Sequence, residues 1–163
     1  MNIILHQPEI PANTGNIGRT CVATNSTLHL IEPLGFKLNE KTLQRAGMDY
    51  WDKLKLERHI SYEKFREEHP DAVVWMATTK AQKCYTQVKF SENDYIMFGK
   101  ESAGIPEEYL VQDKEHCIRI PMSDDVRSLN LSNSVAIVLY EALRQQNFSN
   151  LEKEGELHRL SWD

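Results

Sequence analysis

Short apolar runs alternate with amphipathic stretches along this chain, and the alternation predicts a succession of strands and helices. Asn2–His6 is an apolar run of strand length, broken off by Pro8 and Pro11. Thr14–Ser26 sets Ile17, Cys21 and Val22 on one side and reads as a helix, with Asn13 or Thr14 available as cap. Thr27–Ile31 is a second strand, closed by Pro33 and Gly35. Asn39–Ala46 reads as a short helix ending at Gly47. Lys53–Arg58 alternates as a half-buried strand would, and Ser61 caps a short helix that runs to Glu68, before Pro70. Ala72–Thr78, Tyr95–Phe98 and Cys117–Ile120 complete the strands, with a short helix expected around Pro106–Val111. Residues 80–93 and 123–133 read as polar loops. This order favours an α/β fold with a largely parallel sheet. No repeat or Gly/Ser linker interrupts it, so one domain is expected over 1–150, with a polar tail over 151–163.

The strongest helical pattern is Ser134–Gln146. Val135, Ala136, Ile137, Val138, Leu139, Ala142 and Leu143 cover most of its circumference. A helix apolar on most sides must be buried on most sides. A second subunit is the expected cover, giving a homodimer through this helix with Val138 at the interface; burial within one chain is the alternative.

Composition narrows the picture further. A chain of 163 residues with 40% apolar and 26% charged residues suits a soluble globular protein with one real core. No stretch approaches the roughly 20 apolar residues of a membrane span. The opening MNIILHQPEI turns polar too quickly for a signal peptide, so the cytoplasm is the expected compartment. Cys21, Cys84 and Cys117 are far apart and odd in number. With no CxxC pair and no His/Cys cluster at zinc-ligand spacing, neither a disulfide framework nor a metal is expected. His6, His29 and His116 fall in strands and read as structural, whereas His59 and His69 read as surface positions. The net charge of −5 argues against a broad grip on phosphate backbones and leaves room for a local basic face.

Three polar islands follow strands, where parallel sheets place their ligands. They are Asn13–Arg19, Phe98–Pro106 and Ile120–Asn133. The first lacks GxGxxG and is no dinucleotide fingerprint; Asn13 and Arg19 lie about one and two-thirds turns apart and are expected to flank one cleft. In the second, Gly99 and Gly104 bracket Glu101 and allow close approach of backbone to a ligand. In the third, Arg127, Ser128, Asn130, Ser132 and Asn133 crowd seven positions, more than capping explains. No catalytic Ser/His/Asp or Cys/His pattern and no Walker motif is present.

Taken in order, these islands resemble the three signature motifs of SPOUT methyltransferases, and the similarity is nearest to the TrmL type. It runs from IILHQPEIPANTGNIGR through LHLIEPLGF and RAGMDYW to RIPMSDDVRSLNLSNSVAIVLYEALRQQ and leaves the tail uncovered. The resemblance implies a SPOUT fold with a C-terminal trefoil knot, a homodimer, S-adenosylmethionine as cofactor and a tRNA ribose 2′-hydroxyl as substrate, at the wobble pyrimidine of leucine acceptors. By position it implies cofactor contacts at Ala77, Thr78, Gly99, Gly104, Ile120, Met122, Ser128 and Leu129. It implies a reactive constellation of Asn13, Arg19, Glu101, Ser128 and Asn130. Arg19, Arg127, Lys80, Lys83 and Arg144 are the candidate RNA contacts. An arginine, with a pKa above ~12, is a poor base, so Arg19 is expected to clamp ribose or phosphate. Ribosomal RNA as substrate, or a non-catalytic RNA-binding protein of the same fold, are the alternatives.

Overall fold

The computed structural model describes residues 1–39 and 50–162. The helix expected over Asn39–Ala46 lies almost wholly outside the described residues. Six strands, β1 (Asn2–His6), β2 (Thr27–Ile31), β3 (Leu56–His59), β4 (Val74–Ala77), β5 (Tyr95–Phe98) and β6 (Cys117–Ile118), form one sheet. Its order is β3-β2-β1-β5-β4-β6 and every pairing is parallel.

Alternation along the central strand divides the core in two. Ile3 and Leu5 of β1 face helices α1 (Pro11–Ala23) and α4 (Leu131–Gln145). Ile4 faces the other way, toward Phe65 of α2 (Tyr62–Glu68) and Leu110 of α3 (Glu107–Gln112). All three β1 residues are fully buried, which is why a parallel strand covered on both faces reads as a continuous apolar run.

The element boundaries shift for local chemical reasons. α1 starts at Pro11, because proline at the first helical position has a preset φ and no N–H to waste. α4 starts at Leu131, three residues before its apolar pattern, because the Asn130 side chain accepts from the Ser132 and Asn133 N–H groups. Residues Trp51–Lys53 form a 3-10 turn, so β3 begins only at Leu56. β6 stops at Ile118, and Arg119 pairs instead with the backbone of Lys83 and Tyr85. Residues 151–162 form no helix or strand and are almost entirely exposed, including Leu160 and Trp162.

α4 corrects one expectation. Val138 is 0% exposed within a single chain, packed with Val135, Leu139, Ala142 and Leu143 against α1 and the sheet. Most of the apolar girth is thus covered without a partner. The exposed apolar residues of α4 are Ile137 at 37% and Tyr140 at 45%. Val138→Glu is therefore expected to bury an uncompensated charge in the chain's own core and cost about 3 kcal/mol or more in urea unfolding. An unchanged unfolding midpoint in that variant contradicts the placement.

Candidate functional site

β1 and β5 lie side by side, yet their chains leave in opposite directions. β1 leads through α1 to β2 on one side, and β5 leads through α3 to β6 on the other. The strand order reverses here, and such reversals open a crevice beyond the carboxyl ends of the strands.

Glu101, in the loop after β5, closes the crevice at its base. Its carboxylate accepts from the backbone N–H of Glu9 at 2.8 Å and of Ile10 at 3.1 Å, and from Asn13 Nδ2 at 3.1 Å. Ile10 is the N-cap position of α1 and has no cap from its own side chain, so Glu101 satisfies donors at that helix start and lies favourably against its dipole. Glu9 returns the contact, its carboxylate accepting from the Ser102 N–H and hydroxyl, each at 2.9 Å. The Ser102 backbone N–H, then its hydroxyl, hold the Glu9 carboxyl below its ordinary range.

The third island joins through two amides. Asn130 Oδ1 is committed as acceptor to the first turn of α4, so its Nδ2 is left to donate, and it donates to Asn13 Oδ1 at 3.1 Å. Asn13 Nδ2 then donates to Glu101, which when ionised can only accept. Both amide orientations are fixed by the ends of this chain. One directed line of hydrogen bonds, from Asn130 through Asn13 to Glu101, ties together the loops after β1, β5 and β6.

Above it lies a cleft of about 470 Å³, within the size range of small-molecule sites. Ala77 and Thr78 line it from the end of β4, Gly99, Glu101 and Gly104 from the loop after β5, and Ile120, Met122, Ser128, Leu129 and Asn130 from the long loop before α4. Every cofactor position expected from the sequence thus borders one cavity, as do Asn13 and Lys80. The two glycines differ in purpose. A Cβ on Gly99 would overlap Gly104 C and Ile105 N, so Gly99 must be small for the loop to fold on itself. Gly104 has φ +73° and open space where a Cβ would stand, so its backbone needs glycine and borders the cavity.

Arg19 does not line this cleft. Six residues beyond Asn13 it is about 9 Å further along α1 and a third of a turn round from it. Its guanidinium lies 5.0 Å from the centre of the Tyr50 ring, a cation–π placement. The Tyr50 hydroxyl donates to the Gly15 carbonyl, and Gly18 leaves the space that Tyr50 and Leu54 occupy. Lys80 pairs with Glu107 at 2.7 Å and Lys83 with Glu115 at 3.3 Å. Arg144 makes a two-pronged contact with Glu141 of its own helix at 2.7 and 2.9 Å. Arg127 is exposed in the long loop.

Sequence reasoning missed Glu9, Tyr50, Leu131 and Ser134. Leu131 and Ser134, three apart on the first turn of α4, share the helix side that borders the cleft; the misplaced helix start hid them. Tyr50 stands in the RAGMDYW segment, but no periodicity points to Arg19 as its neighbour.

The chain and its fold have known counterparts. Residues 1–140 match the SpoU rRNA Methylase family. A relative from Listeria innocua is 48% identical over 161 residues, 97% of this chain and 95% of its own. The Escherichia coli protein named tRNA (cytidine(34)-2′-O)-methyltransferase is 45% identical over 149 residues, 91% of this chain and 95% of its own. A solved structure from Bacillus anthracis superposes with a TM-score of 0.89 at 48% identity, over 94% of this chain and 99% of that one. The rRNA methyltransferase of Sinorhizobium meliloti, solved with AdoMet bound, superposes with a TM-score of 0.76 at 25% identity, over 88% of this chain and 55% of its own. A match across nearly the whole sheet and all three polar islands makes this chain a member of the SpoU methylase family, within the SPOUT methyltransferases.

Proposed function

We propose that this chain transfers a methyl group from S-adenosylmethionine to the ribose 2′-hydroxyl of the wobble pyrimidine in a subset of tRNAs that includes leucine acceptors. The observation that carries the reading is the cleft built on Glu101, Asn13 and Asn130, in a chain 45% identical to a named tRNA 2′-O-methyltransferase. The cytoplasm, where tRNA is modified, is the compartment that fits, and among the described residues no helix is long and apolar enough to cross a membrane.

The cavity suits the cofactor chemically. Ala77, Ile120, Met122 and Leu129 supply apolar walls that exclude water, while Thr78, Gly104 and Ser128 bring polar groups and open backbone to it. When bound, S-adenosylmethionine supplies an activated methyl on a sulfonium, so the protein's task is to orient the acceptor and dry the site. Glu101 is occupied by three donors and acts as a positioning residue for α1 and its loop. Asn130 positions α4 in the same manner. Ser128 and the exposed edge of the cleft are left to meet the ribose. Arg19 stabilises the developing oxyanion as a planar fork, its direction set by the Tyr50 ring.

Arg19 lies outside its own chain's cleft, and Ile137 and Tyr140 leave an apolar strip on α4. Both features support a homodimer through α4 in which each subunit supplies Arg19 to the other's cleft. Arg127 extends the basic edge toward RNA; Lys80, Lys83 and Arg144 would join it only by exchanging their present carboxylate partners. A C-terminal trefoil knot is part of the proposal. It is supported by the grip on the β4–β5 connection at two points, Arg119 against Lys83 and Tyr85, and the Gln145 side chain against Phe90 N and Val88 O.

Arg19→Ala is expected to keep cofactor affinity within a few-fold and lower turnover by about 10²-fold. Mixing it with a cleft-blocking Leu129→Arg variant should restore transfer, because one subunit keeps the cleft and its partner the arginine. Full activity of Arg19→Ala removes this residue from the mechanism, and a silent mixture places the arginine in its own subunit's site.

Total RNA from cells lacking this protein, incubated with the enzyme and labelled cofactor, should take up label at the wobble ribose of tRNA, leucine acceptors among them. Label confined to ribosomal RNA overturns the substrate, and no transfer to any RNA overturns the enzymatic reading.

A further inference from the structure

On the opposite face of the sheet from α1 and α4, three histidines and a glutamate converge. β2 and β3 run parallel with His29 set against Glu57 and Ile31 against His59. Glu57 and His59 are two apart on β3 and share a face. His69 comes in from the C-cap of α2. One ligand atom from each of the four can be chosen so that all lie within 4.8 Å of one another. His29 Nδ1 is 3.1 Å from His59 Nε2 and 3.4 Å from Glu57 Oε2. His59 Nε2 and His69 Nε2 are 4.0 and 3.9 Å from the same carboxylate oxygen.

Those separations are near what a tetrahedral ion requires. Ligands bound at about 2.0–2.1 Å stand roughly 3.3 Å apart. The atoms that must close in belong to the movable members. Glu57 is 51% exposed and His69 partly exposed, whereas His29 and His59 are buried.

Two of the three histidines carry an outer contact, while His29 Nε2 is buried without one among the described residues. His59 carries Glu68 on its other nitrogen, Nδ1 to Oε2 at 3.0 Å. His69 carries the Tyr95 hydroxyl on Nδ1 at 3.3 Å. A carboxylate or hydroxyl on the far nitrogen fixes a histidine's tautomer and orients its near nitrogen, the arrangement found around metal-bound histidines.

We propose that His29, His59, His69 and Glu57 form a structural site for a divalent transition-metal ion of the zinc class. Three imidazoles and one carboxylate make a closed four-ligand set, with no open position for a substrate. It sits at the outer pair of the sheet. The ion ties edge strand β3 and the end of α2 to β2, on the face that the methyl-transfer cleft does not use. The spacing test on the sequence could not see it. Its ligands come from two strands and a helix end, 28, 2 and 10 residues apart, not from a local pair.

The test is calorimetric titration of the chelator-stripped full-length protein with Zn²⁺, alongside Co²⁺ absorption and the unfolding temperature. One equivalent of Zn²⁺ should bind and raise Tm, and Co²⁺ should give the intense visible bands of a tetrahedral complex. Glu57→Gln alone, and His69→Gln with Glu57→Gln, should weaken Zn²⁺ by about ten-fold or more, since even outer-shell losses cost that much. Glu57 is half exposed, so its single variant folds and keeps the test open if the double variant does not. No Zn²⁺ binding to the parent protein, or equal binding by Glu57→Gln, overturns the site.

Discussion

The Asn130 side chain serves two masters, and the site depends on that. Its carbonyl oxygen must accept from the first turn of α4, or that helix begins with unmet donors. Its amide is thereby committed to donate to Asn13, whose own amide is committed to Glu101. Reverse any one amide and two like groups meet. The chain of bonds therefore has one direction, and three loops from three strand ends have one relative placement.

That placement turns an ordinary doubly covered sheet into a site. β1 and β5 are neighbours whose chains part, so their loops would splay without a tie. Glu101 supplies it by capping α1 from outside, and Glu9 answers by holding Ser102. Gly99 folds the β5 loop against Gly104, which keeps Glu101 at the right height. The apolar walls of Ile120, Met122 and Leu129 then enclose space rather than filling it. Polar groups spent on building the cleft are not free for proton transfer. This is why Glu101 reads as a positioning residue although it stands beside the cavity.

Much of this was readable in the sequence. Strand runs such as Asn2–His6 and Tyr95–Phe98 are buried on both faces, and burial on both faces writes itself as unbroken apolar residues. The cofactor positions expected from the SPOUT resemblance all border one cleft. What periodicity could not see was decided by side chains far apart in sequence. Asn130 moved the start of α4 to Leu131, and α1 buried Val138, which girth alone had assigned to a partner. Arg19 and Asn13 share a helix but not a face, because six residues make a third of a turn too few. The histidines of β2 and β3 looked structural or superficial one at a time, since only strand register brings them together.

The most direct test of the account is a double-mutant cycle on S-adenosylmethionine affinity with Asn13→Ala, Asn130→Ala and the pair. If one directed line of hydrogen bonds holds the cleft, each single variant breaks it. The double variant then binds little worse than the poorer single, with a coupling of about 1 kcal/mol or more. Losses that simply add, or cofactor affinity indifferent to both residues, would contradict it.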